Sequence, residues 1–158
     1  MAFLPISINV SGKKIVLVGG GRIAWHKIGF LLQFTDNLSV VAMEVCDEIK
    51  RAGVRWQEKT YESGDLRGAL LVYACTNLKN LNQQIKSDAE GLGILCNVVD
   101  NPSLCDFVSP AIYKQGIYTV ACGSDGKDVY KSIAIRNKIK DFLENDPTIF
   151  TSKEHSRG

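Results

Sequence analysis

Histidine is scarce in this sequence, with only His26 and His155 present. The five cysteines, Cys46, Cys75, Cys96, Cys105 and Cys122, are odd in number, widely spread and contain no Cys-x-x-Cys pair. These two facts argue against a preformed His/Cys zinc site and against a disulfide framework. Cys75, Cys96 and Cys122 sit in apolar, strand-like runs, so the thiols read as buried groups in a reducing, cytoplasmic setting. An excess of charge of either sign is also lacking. A net charge of +2 supplies no long-range field for nucleic acid or an anionic membrane, and neither is expected as a partner. No apolar segment approaches the roughly 20 residues that span a bilayer. The opening "MAFLPISINVSGKK" has neither a basic leader nor a long apolar stretch, so no secretion signal is expected.

What is present is an ordinary soluble composition, 45% hydrophobic and 23% charged over 158 residues. That length allows one well-buried core and a small appendage. Apolar runs of strand length recur: "KIVLV" (Lys14–Val18), "LSVVA" (Leu38–Ala42), "VRWQ" (Val54–Gln57), "LLVYAC" (Leu70–Cys75) and "ILCNVV" (Ile94–Val99). Three are almost continuously apolar, as central parallel strands covered on both faces should be. Ile23, Lys27, Phe30, Leu31 and Phe34 space as one helix face, and Leu78, Leu81, Ile85, Ala89 and Leu92 as another. Gly93 is placed to close the second helix, and a shorter one is expected within Glu44–Gly53. Strand and helix in alternation predict a doubly wound parallel α/β sheet.

After Val99 the rhythm breaks. "DNPSLCDFVSPAI" carries two prolines and reads as a boundary or crossover. One further strand is expected at Ile117–Gly123 and a helix over about Val129–Glu144, with Ile135, Ile139, Phe142 and Leu143 on one stripe. A lone strand and helix bury little, so a second copy of the chain is the expected cover, making a homodimer. The expected division is a dinucleotide-binding part at 1–112, a small α+β dimerisation region at 113–145 and a flexible tail at 146–158.

The stretch "KKIVLVGGGRIAWHK" is the most informative. Gly19-x-Gly21-x-x-Ala24 fits the dinucleotide fingerprint. Gly19 permits a sharp turn out of the strand, Gly21 lets a pyrophosphate approach the main chain, and Ala24 allows close helix–strand packing. N–H groups from about Arg22 and Ile23 onward would face the phosphates with the positive end of the helix dipole. Glu44, just past the second strand, could accept from a ribose hydroxyl or simply favour the dipole of the next helix. No arginine follows to receive a 2′-phosphate, so NAD is favoured over NADP. Ligands in such sheets lie at the carboxyl ends of strands, which places Thr76, Asn77 and Asp100 at the crevice. Thr76 and Asn77 are also helix-capping types, and Asp100 is also a turn former before Asn101-Pro102.

The segments "LPISINVSGKKIVLVGGGRIAWHK", "ACTNLKNLNQQI", "GILCNVVDNPSLCDFVSPAI" and "SDGK", in this order and spacing, resemble the precorrin-2 dehydrogenase/sirohydrochlorin ferrochelatase family. That family includes the N-terminal module of bifunctional siroheme synthases, and the resemblance runs from Leu4 to about Leu143. It implies a Rossmann domain with a small dimerisation region. The implied reaction is NAD-dependent oxidation of precorrin-2 to sirohydrochlorin, followed in some members by insertion of ferrous iron to give siroheme. The family's aspartate in "NVVD" falls on Asp100, implicated in both chemistries. Its cofactor contacts fall on Arg22, Ile23, Met43 and Glu44, and a serine of the glycine-rich loop falls on Ser124. The family loop commonly reads Ser-x-Gly-Gly-x-Ser-Pro, whereas this chain has Gly123-Ser124-Asp125-Gly126-Lys127-Asp128-Val129. The chain also stops before most of the C-terminal helical region of longer relatives, which bears against iron insertion more than against dehydrogenation.

Precorrin-2 carries many carboxylates, and Lys114, Lys127, Lys131 and Arg136 are the candidate cations to receive them. Asp100 would accept the proton lost as hydride leaves the substrate, or orient the macrocycle. The competing class is a non-catalytic NAD-sensing regulatory module. Such a module would share the glycine turn, sheet and dimer but would not need Asp100 or the "CDFVSPAI" segment.

Overall fold

Each apolar run becomes a strand for the reason its composition suggests. The computed structural model of the chain describes residues 2–99 and 101–150. β1 (Lys14–Val18) and β2 (Leu38–Ala42) form where read, and β3 (Arg55–Glu58), β4 (Ala69–Ala74) and β5 (Leu95–Val98) lie within one residue of expectation at most ends. All five pair in parallel in the order β3-β2-β1-β4-β5. The fold is therefore the expected Rossmann-like parallel sheet. The strand order reverses at the β1/β4 junction, where such sheets open a crevice.

Four consecutive residues of β1, Ile15 to Val18, are at most 2% exposed. The two-residue period of a strand divides them between two cores. Ile15 and Leu17 pack with Ala24, Ile28 and Leu31 of α1 (Arg22–Leu31) and Ile49 of α2 (Asp47–Arg51). Val16 and Val18 pack on the opposite face with Ile85 and Ala89 of α3 (Lys79–Gly91). Each of the buried valine, leucine and isoleucine side chains contributes on the order of 1.5–3 kcal/mol by leaving water. β3, at the sheet's edge, is exposed throughout, and its Trp56 ring lies under the Lys50 ammonium, 5.2 Å away.

Two helix faces differ from expectation. Ile23, Phe30 and Phe34 are not the buried stripe of α1, which runs instead through Ala24, Ile28 and Leu31. Ile23 belongs to the helix start that faces the crevice, and Phe34 lies beyond the helix end. In α3 the buried face is Asn82, Ile85 and Ala89, while Leu78 and Leu92 are the two caps and stay exposed. Leu78, at φ −98° and ψ 102°, lies outside the helical register, so its place in a periodic count carries no direction.

The contact division of the chain falls between Val108 and Ser109. The second unit contains one more strand than expected. β6 (Ala111–Gln115) pairs antiparallel with β7 (Tyr118–Cys122) through the two-residue loop Gly116-Ile117. Gly116 has φ +57°, the left-handed value that glycine supplies at the first position of a tight hairpin loop. α4 (Val129–Asn145) packs on both strands, burying Ser132 and partly burying Arg136, Ile139 and Leu143. Ile135 and Phe142, expected on the same stripe, stand exposed. No helix among the described residues is long and apolar enough to cross a membrane.

Candidate functional site

The three glycines after β1 perform three different tasks. Gly19 has φ +119°, and a Cβ placed on it would lie 2.6 Å from the carbonyl oxygen of Cys75 at the end of β4. A Cβ on Gly20 would lie 2.2 Å from the Glu44 carbonyl oxygen. Gly20 is also bonded there, its carbonyl accepting the Cys46 N–H at 2.8 Å. A Cβ on Gly21 would meet nothing within 4 Å. Gly19 and Gly20 therefore weld the β1 turn to the chain after β4 and after β2, and Gly21 leaves an open cradle. The first and third of these are the glycines of the dinucleotide fingerprint. Gly20 was missed, although three glycines in a row signalled that the fingerprint left one to explain.

Gly21 is also the N-cap of α1. No side chain caps this helix, and no acidic residue occupies its first turn. Its first N–H groups are thus left for an anionic ligand, with the helix dipole in support. Ala24 is fully buried beneath the turn, which is the close packing required of it. A pyrophosphate fits this donor set: open backbone N–H groups, room over Gly21 and no acidic residue in the first turn of α1.

On one side of the turn, Met43 and Glu44 are exposed after β2. Their loop is held from below by Glu58 of β3, whose carboxylate accepts the Val45 N–H at 3.1 Å and pairs with Lys50 at 2.7 Å. Lys50, and then the Val45 N–H, hold the Glu58 carboxyl below the usual carboxylate range. No sequence signal pointed to Glu58, because its partners lie 8 and 13 residues away in the chain.

On the other side lies a cleft of about 550 Å³. Ile23 borders it from α1, Thr76 and Asn77 from the turn after β4, and Val98, Val99 and Asn101 from the end of β5. Thr76 is locked by Asn82. The Asn82 side chain donates to the Thr76 carbonyl at 2.9 Å and accepts the Thr76 hydroxyl at 2.6 Å and N–H at 3.3 Å. Asn82 is 7% exposed, a polar side chain spent on one turn. Asp100 lies outside the described residues, and its neighbours Val99 and Asn101 both line this cleft. The structure thus gathers Gly19, Gly21, Arg22, Ile23, Ala24, Thr76 and Asn77 at one sheet end, with Met43 and Glu44 across the turn.

The other candidates belong to the second unit. Ser124 sits in a left-handed loop, with Asp125 at φ +52° and Gly126 at φ +72°. Its hydroxyl accepts the Asp128 N–H at 3.0 Å, and Ser132 Oγ lies 3.0 Å from it. Asp128 caps α4 by accepting the Lys131 N–H at 2.8 Å. The helix start that lacks the family's proline is therefore held by a carboxylate cap instead. Lys127 and Lys131 flank this loop with exposed side chains. Lys114 is not beside them: its ammonium donates to the Gly116 carbonyl at the hairpin loop. That loop is the end of the hairpin opposite the Ala111–Cys122 pair from which the Ser124 loop departs. Arg136 reaches inward, Nη1 donating to the Ile112 carbonyl at 2.7 Å.

A parallel sheet in this order, with an open glycine cradle at the β1/β4 reversal, defines a dinucleotide-binding Rossmann domain. The comparisons with known proteins agree. Residues 6–111 match the family model described as "Putative NAD(P)-binding", and the chain belongs to that family. It is 37% identical over 147 residues to a siroheme synthase of Photorhabdus laumondii, covering 90% of this chain and 31% of that protein. It is 36% identical over 145 residues to one of Ectopseudomonas mendocina, covering 90% and 31% respectively. The chain thus spans about a third of the length of these curated relatives. Among solved structures it is similar to "SirC, precorrin-2 dehydrogenase", with a TM-score of 0.75 and 22% identity over 96% of this chain and 84% of that one. That likeness is one of fold, and the siroheme synthase relatives match the resemblance read from the motifs.

Proposed function

We propose that this chain is an NAD-dependent dehydrogenase that oxidises precorrin-2 to sirohydrochlorin in siroheme biosynthesis. The observation that carries the reading is that the glycine cradle and the residues on either side of Asp100 open on one sheet end, with Ile23 and Thr76 lining the same cleft as Val99 and Asn101. When bound, NAD supplies the hydride acceptor. Gly21 and the first N–H groups of α1 hold its pyrophosphate, and Glu44 accepts from a ribose hydroxyl, where its negative charge disfavours a 2′-phosphate. Thr76 and Asn77 border the reacting half. Asp100 takes the proton that the substrate loses together with the hydride. Ser124, Lys127 and Lys131 are assigned to the substrate's carboxylates, with Lys114 and Arg136 contributing positive charge to the same unit. The five free thiols support a cytoplasmic setting.

A homodimer through the second unit accompanies this reading. Ile117 and Tyr130 are each 87% exposed and Phe142 is 68% exposed, more large apolar surface than a small unit keeps in water without use.

The test is NADH formation when the purified protein receives precorrin-2 and NAD without oxygen. NADH appearing with sirohydrochlorin is the expected result, and Asp100→Ala should abolish turnover while leaving NAD affinity intact. Protein that binds NAD but forms no NADH would instead be a sensing module. Consumption of sirohydrochlorin on adding ferrous iron reports chelation separately.

A further inference from the structure

β5 is the last strand of its sheet, and an edge strand presents unpaired backbone groups. Here they are not left to water. The Cys96 N–H donates to Asp106 Oδ2 at 2.9 Å, and the Cys96 carbonyl accepts the Asp106 N–H at 2.9 Å. Two residues on, the Val98 N–H donates to Cys105 Sγ at 3.2 Å, and Sγ lies 3.2 Å from the Val98 carbonyl oxygen. The thiol also lies 3.4 Å from the Asn101 carbonyl oxygen. Asp106 is tied in turn to Lys86 of α3 at 2.5 Å. The next residue, Phe107, sets its ring edge-on to Tyr73 at 5.3 Å and accepts from Asn97 at 2.9 Å. Two adjacent side chains thus stand in for a missing strand.

We propose that Cys105 and Asp106 form a clamp whose catalytic purpose is to position the cleft wall made by Val98, Val99 and Asn101, the residues that flank Asp100 in the sequence, with Cys105 as the positioning residue. Asp106 grips β5 upstream at Cys96, which fixes the register of the clamp. Cys105 Sγ then accepts the Val98 N–H, while its single hydrogen is within reach of either the Val98 or the Asn101 carbonyl, and the Asn101 N–H donates to the Val98 carbonyl at 3.2 Å. Three of the residues so held, Val98, Val99 and Asn101, line the cleft. The role needs a group that donates and accepts at once, which a thiol or hydroxyl does and a methyl does not. Burial pushes the Cys105 thiol up, so it keeps the proton it donates at neutral pH.

The catalytic consequence rests on the dehydrogenase reading, but the clamp itself does not. The experiment therefore has two arms on the full chain: wild type, Cys105→Ser, Cys105→Ala and Cys105→Val. In the first, amide hydrogen exchange is followed for peptides covering 96–104. Cys105→Ala and Cys105→Val should lose protection there by about tenfold or more, and Cys105→Ser should retain it. In the second, kcat and the NAD Kd are measured. A displaced base lowers kcat on the order of 10- to 100-fold with NAD affinity unchanged, and serine should restore the rate. A purely structural thiol would lower the melting temperature alike in all three variants without the serine rescue of kcat. The clamp is overturned if Cys105→Val, which keeps the volume, shows wild-type protection. Its catalytic purpose is overturned if protection is lost while kcat stays at the wild-type value. A wild-type protein with no turnover sinks the dehydrogenase reading and this purpose with it, and exchange alone then decides whether the clamp holds.

Discussion

Gly19 and Cys75 touch through their backbones: there is no room for a methyl group between the Gly19 Cα and the Cys75 carbonyl oxygen, which would meet a Cβ at 2.6 Å. Gly21, two residues later, has open space where its Cβ would be and an extended backbone at φ −92° that alanine adopts freely. Alanine should therefore separate folding from binding at these two positions. Gly19→Ala combines left-handed strain with a backbone clash and should cost about 2–5 kcal/mol of stability. Gly21→Ala should leave the urea midpoint near wild type but weaken NAD about tenfold or more, the equivalent of about 1.4 kcal/mol. Equal losses of stability in both variants would mean that Gly21 is structural and the cradle is not a cofactor site.

Asn82 provides a second separation. Asn82→Ala strips the Thr76 turn of one donor and one acceptor in a buried place, which should cost about 1–3 kcal/mol. Asn82→Asp keeps the acceptor for the Thr76 hydroxyl but places a carboxylate against the Thr76 carbonyl. It should therefore be at least as destabilised at neutral pH as Asn82→Ala and recover towards wild type when acidified. Urea titrations of the two variants at pH 7 and pH 4, each against wild type, read this directly.

The fold should also weaken in alkali for an identifiable reason. Burial pushes the Cys96 thiol up to about 12. In the unfolded chain the same thiol ionises near pH 8.5, so above that pH the unfolded state has released a proton that the native state retains. Stability is then fully present below about pH 8.5 and is lost as pH rises towards 12, by at most about 1.4 kcal/mol per pH unit for this group. Cys96→Ala should be less stable than wild type at pH 7 but fall less steeply between pH 9 and pH 11. Parallel slopes for the two proteins would show that the thiol ionises in the native state as readily as in the unfolded one.

Assembly is tested on α4. Phe142→Asp adds a charge at an exposed apolar residue of the helix. Light scattering with size exclusion should find a dimer for wild type and a monomer for the variant, with little change in the circular dichroism spectrum. A monomeric wild type at tens of micromolar would remove the dimer from the proposed function.

How legible these features were in the sequence depends on how local their causes are. β1 and β2 were read to the residue because strands buried on both faces must be uninterrupted apolar runs. β6 was missed because "AIYKQ" follows Pro110, covers one face only and mixes polar with apolar residues, so that its partner strand determines it more than its own composition. The cofactor turn was legible because glycine geometry is a property of three adjacent residues. Asn82 was not, since a polar residue on an apolar stripe looks like an interruption until the Thr76 turn is folded over it. Glu58 and Cys105 escaped for the same reason: each acts on a loop that only the sheet brings near.

The side-chain closure of β5 also limits how the molecule can meet others. A sheet normally grows by adding a strand at its rim, and this rim already has its hydrogen-bonding positions at Cys96 and Val98 taken by Asp106 and Cys105. The opposite rim, β3, is lined with Arg55, Gln57 and Glu58, and charges at a strand edge discourage an incoming chain. Growth by sheet extension is thereby disfavoured at both borders of the Rossmann domain. A contact with another chain at either border is thus left to side chains rather than backbone, which is the more selective form of contact.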